Sequence, residues 1–198
     1  MKKKVNPLTI QSKNWLANGL LELMLEKNFN DISIKEIAEK AQLDRRTFYR
    51  HFSSKEELLT YYTENLSKEY FSALFANENL TIYTITEMYF EFWKKHIDFL
   101  TAVYNNNLQF FLLNSYNKYM PELYNKLVFE REHNIDKNLN NNENHRYFSD
   151  SRIFRYGLAF KIGGFWNILF EWVKDKCKLK PDEMAEIITE FIENDMLL

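Results

Sequence analysis

The stretch Ser33–Leu59 reads SIKEIAEKAQLDRRTFYRHFSSKEELL, and it decides the fold of the N-terminal part of the chain. Ser33 followed three residues later by Glu36 is a capping box, which predicts that a helix begins here. Asp44 is a good N-cap for a second short helix, RRTFYRHF. Two short helices joined by a tight turn predict a helix-turn-helix over residues 33–52.

The second helix of this motif separates its side chains onto two faces. Phe48 and Phe52 are four residues apart, so they share the face that turns toward the core. The other face projects three arginines and a tyrosine: Arg45, Arg46, Tyr49 and Arg50. Arginine can bond the O6 and N7 atoms of guanine bidentately, which is worth roughly 1–3 kcal/mol of discrimination. The outward face therefore predicts base reading in a DNA major groove.

Residues around this helix are suited to holding phosphates and to close packing. The helix that opens at a second capping box, beginning at Ser54, presents free amide groups beside Lys55, and Ser33 offers the same on the other side. Ala38 and Ala41 are small enough for the two short helices to approach closely. The turn carries Gln42 and no glycine. A left-handed backbone conformation costs more energy for glutamine than for glycine.

The remaining sequence predicts an all-α fold of about nine helices. Gly and Pro are scarce, with four and three residues, which disfavours a turn-rich β protein. Apolar periodicity predicts helices that include residues 8–27, 151–176 and 181–194, with a polar loop at 138–144. We expect a helix-turn-helix domain over residues 8–54 and a regulatory and dimerisation domain over 55–198, with a long helix joining them.

Composition and charge bound the class of protein. Hydrophobic residues make up 45% of the chain, which is enough for a buried core. A single cysteine and the lack of a long apolar run predict a soluble cytoplasmic protein without a membrane partner. Residues 1–60 carry a net charge of +3 and the rest −5, which suits a DNA-binding head on an acidic body. No catalytic, metal-binding or cofactor-binding pattern is present, so we expect no enzyme, no metal and no cofactor.

The stretch quoted above resembles the signature of the TetR family of bacterial regulators. The matching positions are Ser33, Ile37, Ala38, Ala41, Thr47, Phe48, Tyr49, His51, Phe52, Lys55, Leu58 and Leu59. Gln42 and Asp44 depart from it, since the family usually has glycine and Ser or Thr there. The resemblance implies that Ser33, Thr47, Tyr49, His51 and Lys55 hold the DNA backbone and that Arg45, Arg46 and sometimes Tyr49 reach bases. It also implies a homodimer that reads a palindromic operator.

The stretch FKIGGFWNILFEWVKDKCKLKPDEMAEII, residues 160–188, resembles the end of a C-terminal domain found in Gram-positive members of the family. In the family such domains hold an effector pocket, and their last two long helices form the dimer interface. Aromatic stripes indicate a pocket for a small apolar or aromatic effector, although such stripes are more often core. The pocket candidates are Phe92, Trp93, Phe110, Phe111, Asn114, Trp166 and Phe170. The candidates for the dimer interface are Phe154, Leu158, Phe165, Leu169, Met184, Ile188 and Phe191.

These observations favour a homodimeric repressor that a small effector releases from double-stranded DNA. A second interpretation is a TetR-like co-regulator that acts through protein contacts with little DNA affinity of its own. An all-helical enzyme or carrier is a third, which turnover of a substrate would favour. Lys2, Lys3 and Lys4 form either an arm that touches DNA or a solubilising tail.

Overall fold

The computed structural model describes residues 6–118, 120, 121 and 151–193. Within these ranges every regular element is helical, and the all-α fold class predicted from the sequence is confirmed. A short 3-10 helix lies at Phe29–Asp31. The α-helices are α1 (Pro7–Glu26), α2 (Ile34–Lys40), α3 (Arg45–His51), α4 (Lys55–Ala76), α5 (Ile82–Lys95), α6 (Ile97–Asn105), α7 (109–118), α8 (Ser151–Lys174) and α9 (Pro181–Glu193). The predicted loop at 138–144 lies outside the described residues.

The described chain forms two compact units. The first contains the described residues up to Ser67 together with Asp98–Gln109. The second contains Lys68–Ile97 and the described residues from Phe110 onward. We expected a domain boundary after residue 54. The two compact units divide within α4, so that boundary stays a prediction.

The first unit is built on the apolar stripe of α1. Leu16 and Leu20 of this helix are fully buried with Ile37 of α2 and Phe48 of α3. Gly19 allows α1 and α2 to approach closely, since a Cβ atom added there would lie 3.2 Å from the carbonyl oxygen of Ile37. The short helices α2 and α3 are therefore held by α1 as well as by each other.

Asn106, at the end of α6, fixes the junction between α1 and the 3-10 helix of the same unit. Its Nδ2 donates to the carbonyl oxygen of Met24 at 3.2 Å and to that of Ala102 at 2.7 Å. Its Oδ1 accepts a hydrogen bond from the backbone N–H of Phe29. One side chain thus satisfies two backbone groups where the chain leaves α1 and a third in the last turn of α6.

The second unit has an aromatic core. Phe90 and Trp93 of α5 are almost fully buried, and Trp172 of α8 packs edge-on against Phe90 with ring centroids 5.2 Å apart. Helices α5 and α9 pack along their lengths, and α9 buries Met184, Ala185 and Ile188. In the described part of the chain, no helix is long and apolar enough to cross a bilayer.

Candidate functional site

The turn between α2 and α3 forms despite the missing glycine. Gln42 has φ = 55°, in the left-handed region. Its N–H donates to the carbonyl oxygen of Glu39 at 3.0 Å, and the N–H of Leu43 donates to that of Ala38 at 2.9 Å. These two bonds form the Schellman motif that ends many helices. The motif compensates for the backbone cost of Gln42, so the turn geometry that the sequence left in doubt is retained.

Helix α3 is fixed by its cap and by its inner aromatic residues. The carboxylate of Asp44 accepts a hydrogen bond of 2.6 Å from the N–H of Thr47, as an N-cap does. This backbone bond, followed by a bond from the Thr47 hydroxyl, lowers the pKa of Asp44. Phe48 and Phe52 are buried, with ring centroids 5.9 Å apart. The helix therefore has one anchored face and one free face.

The free face presents arginines in three different environments. Arg45 stacks over the ring of Tyr49 at 5.4 Å and donates a 3.1 Å hydrogen bond to its hydroxyl. Arg50 donates at 3.2 Å to the hydroxyl of Thr47, which is itself 7% exposed. Arg46 is exposed, and its guanidinium has no hydrogen-bond or ion-pair partner within the described residues. Arg46 is thus the arginine most available for a new partner.

His51 faces α1. Its Nε2 lies 3.1 Å from the hydroxyl of Ser12, and it also borders a shallow depression lined by Asn6, Thr9 and Arg50. Burial, followed by the nearby charges of Arg50 and Lys13, lowers the pKa of His51. The neutral imidazole therefore links α3 to α1 in the free protein. The contact with Ser12 was not predictable from local sequence patterns, because these residues are 39 positions apart.

Lys55, which we expect to hold a phosphate, is engaged within the protein in this structure. Its Nζ donates to the carbonyl oxygens of Phe29 at 2.6 Å, Ile32 at 2.9 Å and Asn30 at 3.1 Å. The ammonium also lies 4.7 Å from the centroid of the Phe29 ring. In this conformation all three N–H donors of the side chain are used by the segment that leads into α2.

Ser33 caps α2 as the sequence predicts. Its hydroxyl accepts from the N–H of Glu36 at 3.3 Å, and the Glu36 carboxylate accepts from the N–H of Ser33 at 3.0 Å. A hydrogen bond from Lys27, then those from Ser33, lowers the pKa of Glu36 to about 2. The second capping box is only partly as predicted. Ser54 caps the N–H of Glu57, but that carboxylate returns to Ser53.

The second unit contains a partly open apolar cavity of about 250 Å³. Its described wall comes from α4, α5, α7, α8, the segment before α5 and Met120. The lining residues are Tyr70, Phe71, Leu74, Phe75, Leu80, Ile85, Tyr89, Tyr116, Met120, Leu158, Lys161, Ile162, Phe165 and Trp166. Lys161 is the one charged side chain among them.

The predicted pocket set overlaps this cavity at Trp166 alone. Phe92, Trp93 and Phe170 are buried core residues that do not line it, and Phe110 is 73% exposed on α7. Phe111 is half-buried and Asn114 is exposed, and neither lines the cavity. Helix periodicity identifies the apolar faces of a helix but not which of them borders a cavity. The lining residues Tyr70, Tyr89, Tyr116 and Lys161 were therefore not predicted from the sequence.

Most of the residues predicted for a dimer interface lie inside the second unit. Leu158, Leu169, Met184 and Ile188 are buried there, and Phe165 and Leu158 line the cavity. Phe191 is 39% exposed, and the side chain of Phe154 lies outside the described residues. Among the described side chains of these helices, the large apolar ones that are exposed are Tyr156 and Phe160 of α8 and Ile187, Phe191 and Ile192 of α9. Both faces of α8 carry apolar residues, so the sequence alone cannot tell the buried face from the exposed one. The residues predicted for the interface lie mainly on the buried face.

Comparison with known proteins finds a curated relative over part of the chain and solved structures with a similar fold. DhaS, the HTH-type dhaKLM operon transcriptional activator of Lactococcus lactis, is 33% identical over 57 residues, 29% of this chain and 30% of that protein. The matched region thus spans less than a third of that relative. The crystal structure of Lin0861 from Listeria innocua has 18% identity, covers 98% of this chain and 95% of its own, and has a TM-score of 0.67. The fatty acid degradation regulator FadR from Bacillus halodurans has 18% identity, covers 96% of both chains, and has a TM-score of 0.59.

Two family profiles match as well. Residues 18–62 match the profile of bacterial regulatory proteins of the tetR family. Residues 80–194, more than half of the chain, match a transcriptional regulator C-terminal region. The first match contains the helix-turn-helix described above, and the second contains the cavity-forming helices α5 and α8. The chain therefore belongs to the TetR family of DNA-binding transcriptional regulators.

Proposed function

We propose that the protein is a homodimeric repressor that binds a palindromic operator and leaves it when a small effector enters the cavity of the second unit. The main support for DNA binding is the free face of α3. Phe48 and Phe52 anchor this helix, and its arginines point away from the core. A short helix with an anchored inner face and a basic outer face fits the major groove.

The environments of the α3 side chains divide their proposed roles. Arg46 reads a base, because its guanidinium is exposed and has no partner in the described chain. Arg45 and Tyr49 act as a stacked pair at a base edge or phosphate. Arg50 contacts phosphate from a position that the buried Thr47 holds. Ser33, at the N-cap of α2, and His51, the last residue of α3, contact the DNA backbone in this proposal.

Binding to DNA from upstream of the protein's own gene tests this proposal. Wild type should bind one duplex tightly and with steep salt dependence, since phosphate contacts release counterions. Arg46→Ala should weaken binding by about tenfold or more. Lys118→Ala, which removes an exposed charge from the second unit, is the matched control and should bind like wild type. Salt-insensitive or absent binding by a folded wild-type protein would favour the co-regulator that acts through protein contacts.

Exposed apolar residues of α8 and α9 support a homodimer. Phe160 and Tyr156 are 67% and 66% exposed, and Ile187 is 50% exposed. Gly163 and Gly164 follow on α8, where an added Cβ would meet nothing within 4 Å. An apolar surface beside two open glycines suits close packing with the same helices of a second copy.

Sedimentation at increasing protein concentration tests the dimer. Phe160→Asp should shift the protein toward monomer, because it places a charge in the proposed interface. Phe110→Asp is the matched control, since Phe110 is exposed on α7 and should leave the dimer intact. A dimer that both variants leave unchanged would exclude this surface.

The cavity and the family membership support the proposal of effector release. A ligand can shift a regulator off DNA only if it binds the released conformation more tightly. DhaS is named an activator, but the match covers only 30% of that protein. Its name therefore does not decide whether this protein represses or activates transcription. Transcription from the identified operator, measured with and without the protein, should fall when the protein is present. A rise would make the protein an activator.

A further inference from the structure

The cavity of the second unit has a chemistry that selects ligands by charge. Its described wall is mainly aromatic and aliphatic, and Lys161 is the one charged side chain in it. Lys161 is exposed, so it lies where the cavity opens to solvent, and it forms no ion pair with any residue in the described part of the chain. None of the described lining residues is a carboxylate.

The other polar groups in the wall are neutral donors. Burial, then the neighbouring phenols of Tyr116 and Tyr70, raises the pKa of Tyr89 well above its ordinary value. Burial likewise raises the pKa of Tyr70. Both phenols therefore remain protonated at physiological pH and can donate a hydrogen bond. The indole N–H of Trp166 is a third donor, and it has no acceptor within the described residues.

The hydrogen bonds that these two phenols donate to backbone carbonyls are long. The Tyr70 hydroxyl lies 3.5 Å from the carbonyl oxygen of Ile85, and that of Tyr89 lies 3.4 Å from that of Phe165. Hydroxyl hydrogen bonds are usually near 2.7–2.8 Å. Both carbonyls also lie within helices, where a backbone N–H already binds them. A ligand atom that accepts hydrogen bonds could replace these contacts at little cost.

We propose that this cavity binds a compact apolar acid with a single negative charge, whose carboxylate lies beside Lys161 and whose apolar body fills the aromatic interior. This inference rests on the proposal that the cavity is the effector site. The volume of about 250 Å³ holds roughly eight water-sized groups, so the body is about as large as one substituted ring. A cationic ligand of the same shape meets an unpaired ammonium and no carboxylate in the described wall.

Three probes of one shape and different charge test the charge selection. Calorimetry with the full-length protein would compare 4-methylbenzoate, 4-methylbenzamide and 4-methylbenzylamine. The benzoate should bind about tenfold or more tighter than the amide, and the amine most weakly. Lys161→Met should abolish the preference for the benzoate while leaving the affinity for the amide unchanged. Lys174→Met, a matched change at the far end of α8, should keep the preference.

Several results would overturn the inference. Equal binding of benzoate and amide, tighter binding of the amine, or an unchanged preference in Lys161→Met would exclude charge selection by Lys161. No binding of any probe would also exclude it. Ile162→Trp, which fills the cavity, should remove benzoate binding, and retained binding would place the acid elsewhere. Operator release is read separately: benzoate that binds but leaves the protein on DNA supports the inference and contradicts the proposed effector response.

Discussion

The ammonium of Lys55 donates a 2.9 Å hydrogen bond to the carbonyl oxygen of Ile32, the residue directly before the N-cap of α2. Together with the bonds to Phe29 and Asn30, this contact fastens the start of α4 to the segment that leads into the helix-turn-helix. Lys55 therefore sets the position of α2. The family resemblance instead implies that Lys55 contacts a DNA phosphate. A structural role and a phosphate contact predict different effects of a substitution at Lys55.

Lys55→Met should lower the free energy of unfolding by about 1–3 kcal/mol, because three carbonyl oxygens lose a charged donor. Operator affinity should fall as well, but the slope of its logarithm against the logarithm of salt concentration should not change. Urea denaturation and a binding series in salt measure the two quantities. Lys35→Met, at an exposed residue of α2, controls for the loss of charge. An unchanged stability with a slope reduced by about one would instead show a phosphate contact.

Gln42→Gly should stabilise the protein by roughly 0.5–1 kcal/mol, since glycine adopts φ = 55° without the steric cost that glutamine has. Thermal or urea denaturation measures the change. Gln42→Ala keeps a Cβ atom at this position and should bring no such gain. A loss of stability in Gln42→Gly would mean that the glutamine side chain contributes more than its backbone conformation costs.

Gly19→Val should lower the free energy of unfolding by about 1–3 kcal/mol, because overpacking separates α1 from α2. Even a single Cβ atom there would lie 3.3 Å from the backbone nitrogen of Ala41. Operator binding should weaken with it, since α2 supports α3. Asn18→Val changes the adjacent exposed position on α1 and should alter stability by less than about 0.5 kcal/mol. Similar stability of the two variants would argue against the close contact.

The residues of the DNA-binding head show where sequence reasoning succeeds and where it stops. The Ser33 capping box and the Asp44 cap were predictable because each is a local pattern over four residues. The role of Gly19 and the partners of Lys55 were not, since both depend on backbone atoms placed by residues 18 to 26 positions away. On α8 the sequence predicts the helix but not its orientation, because Leu158 and Phe160 are both apolar and only one is buried.

The stabilising effect of Glu36 should depend on pH in a defined window. Its pKa is lowered in the folded protein to about 2, so its contribution is complete above the unfolded value of about 4.5 and is lost as the pH falls toward 2. Wild type should therefore be more stable than Glu36→Gln at pH 6, and the difference should shrink between pH 4.5 and 2. Urea denaturation across this range measures it. A difference that stays constant with pH would exclude the Lys27 pair as its cause.

Glu39→Gln provides the comparison for that measurement. Glu39 forms an ion pair with Lys35 of the same helix, but the distance is 3.6 Å and the Glu39 side chain is 62% exposed. Exposed pairs of this kind contribute little. The difference between wild type and Glu39→Gln should be smaller than that for Glu36→Gln at every pH, and a larger one would contradict the assignment.

Base reading by α3 is tested by the ratio of affinities for the operator and for a scrambled duplex, measured for wild type and Arg46→Ala at one salt concentration. If the free face of α3 reads bases, wild type should prefer the operator by about a thousandfold or more. Arg46→Ala should lower that ratio by about tenfold while its affinity for scrambled DNA stays near that of wild type. A variant that loses equal affinity for both duplexes would show that Arg46 contacts only phosphate. A wild-type ratio near one would contradict sequence-specific recognition by this helix.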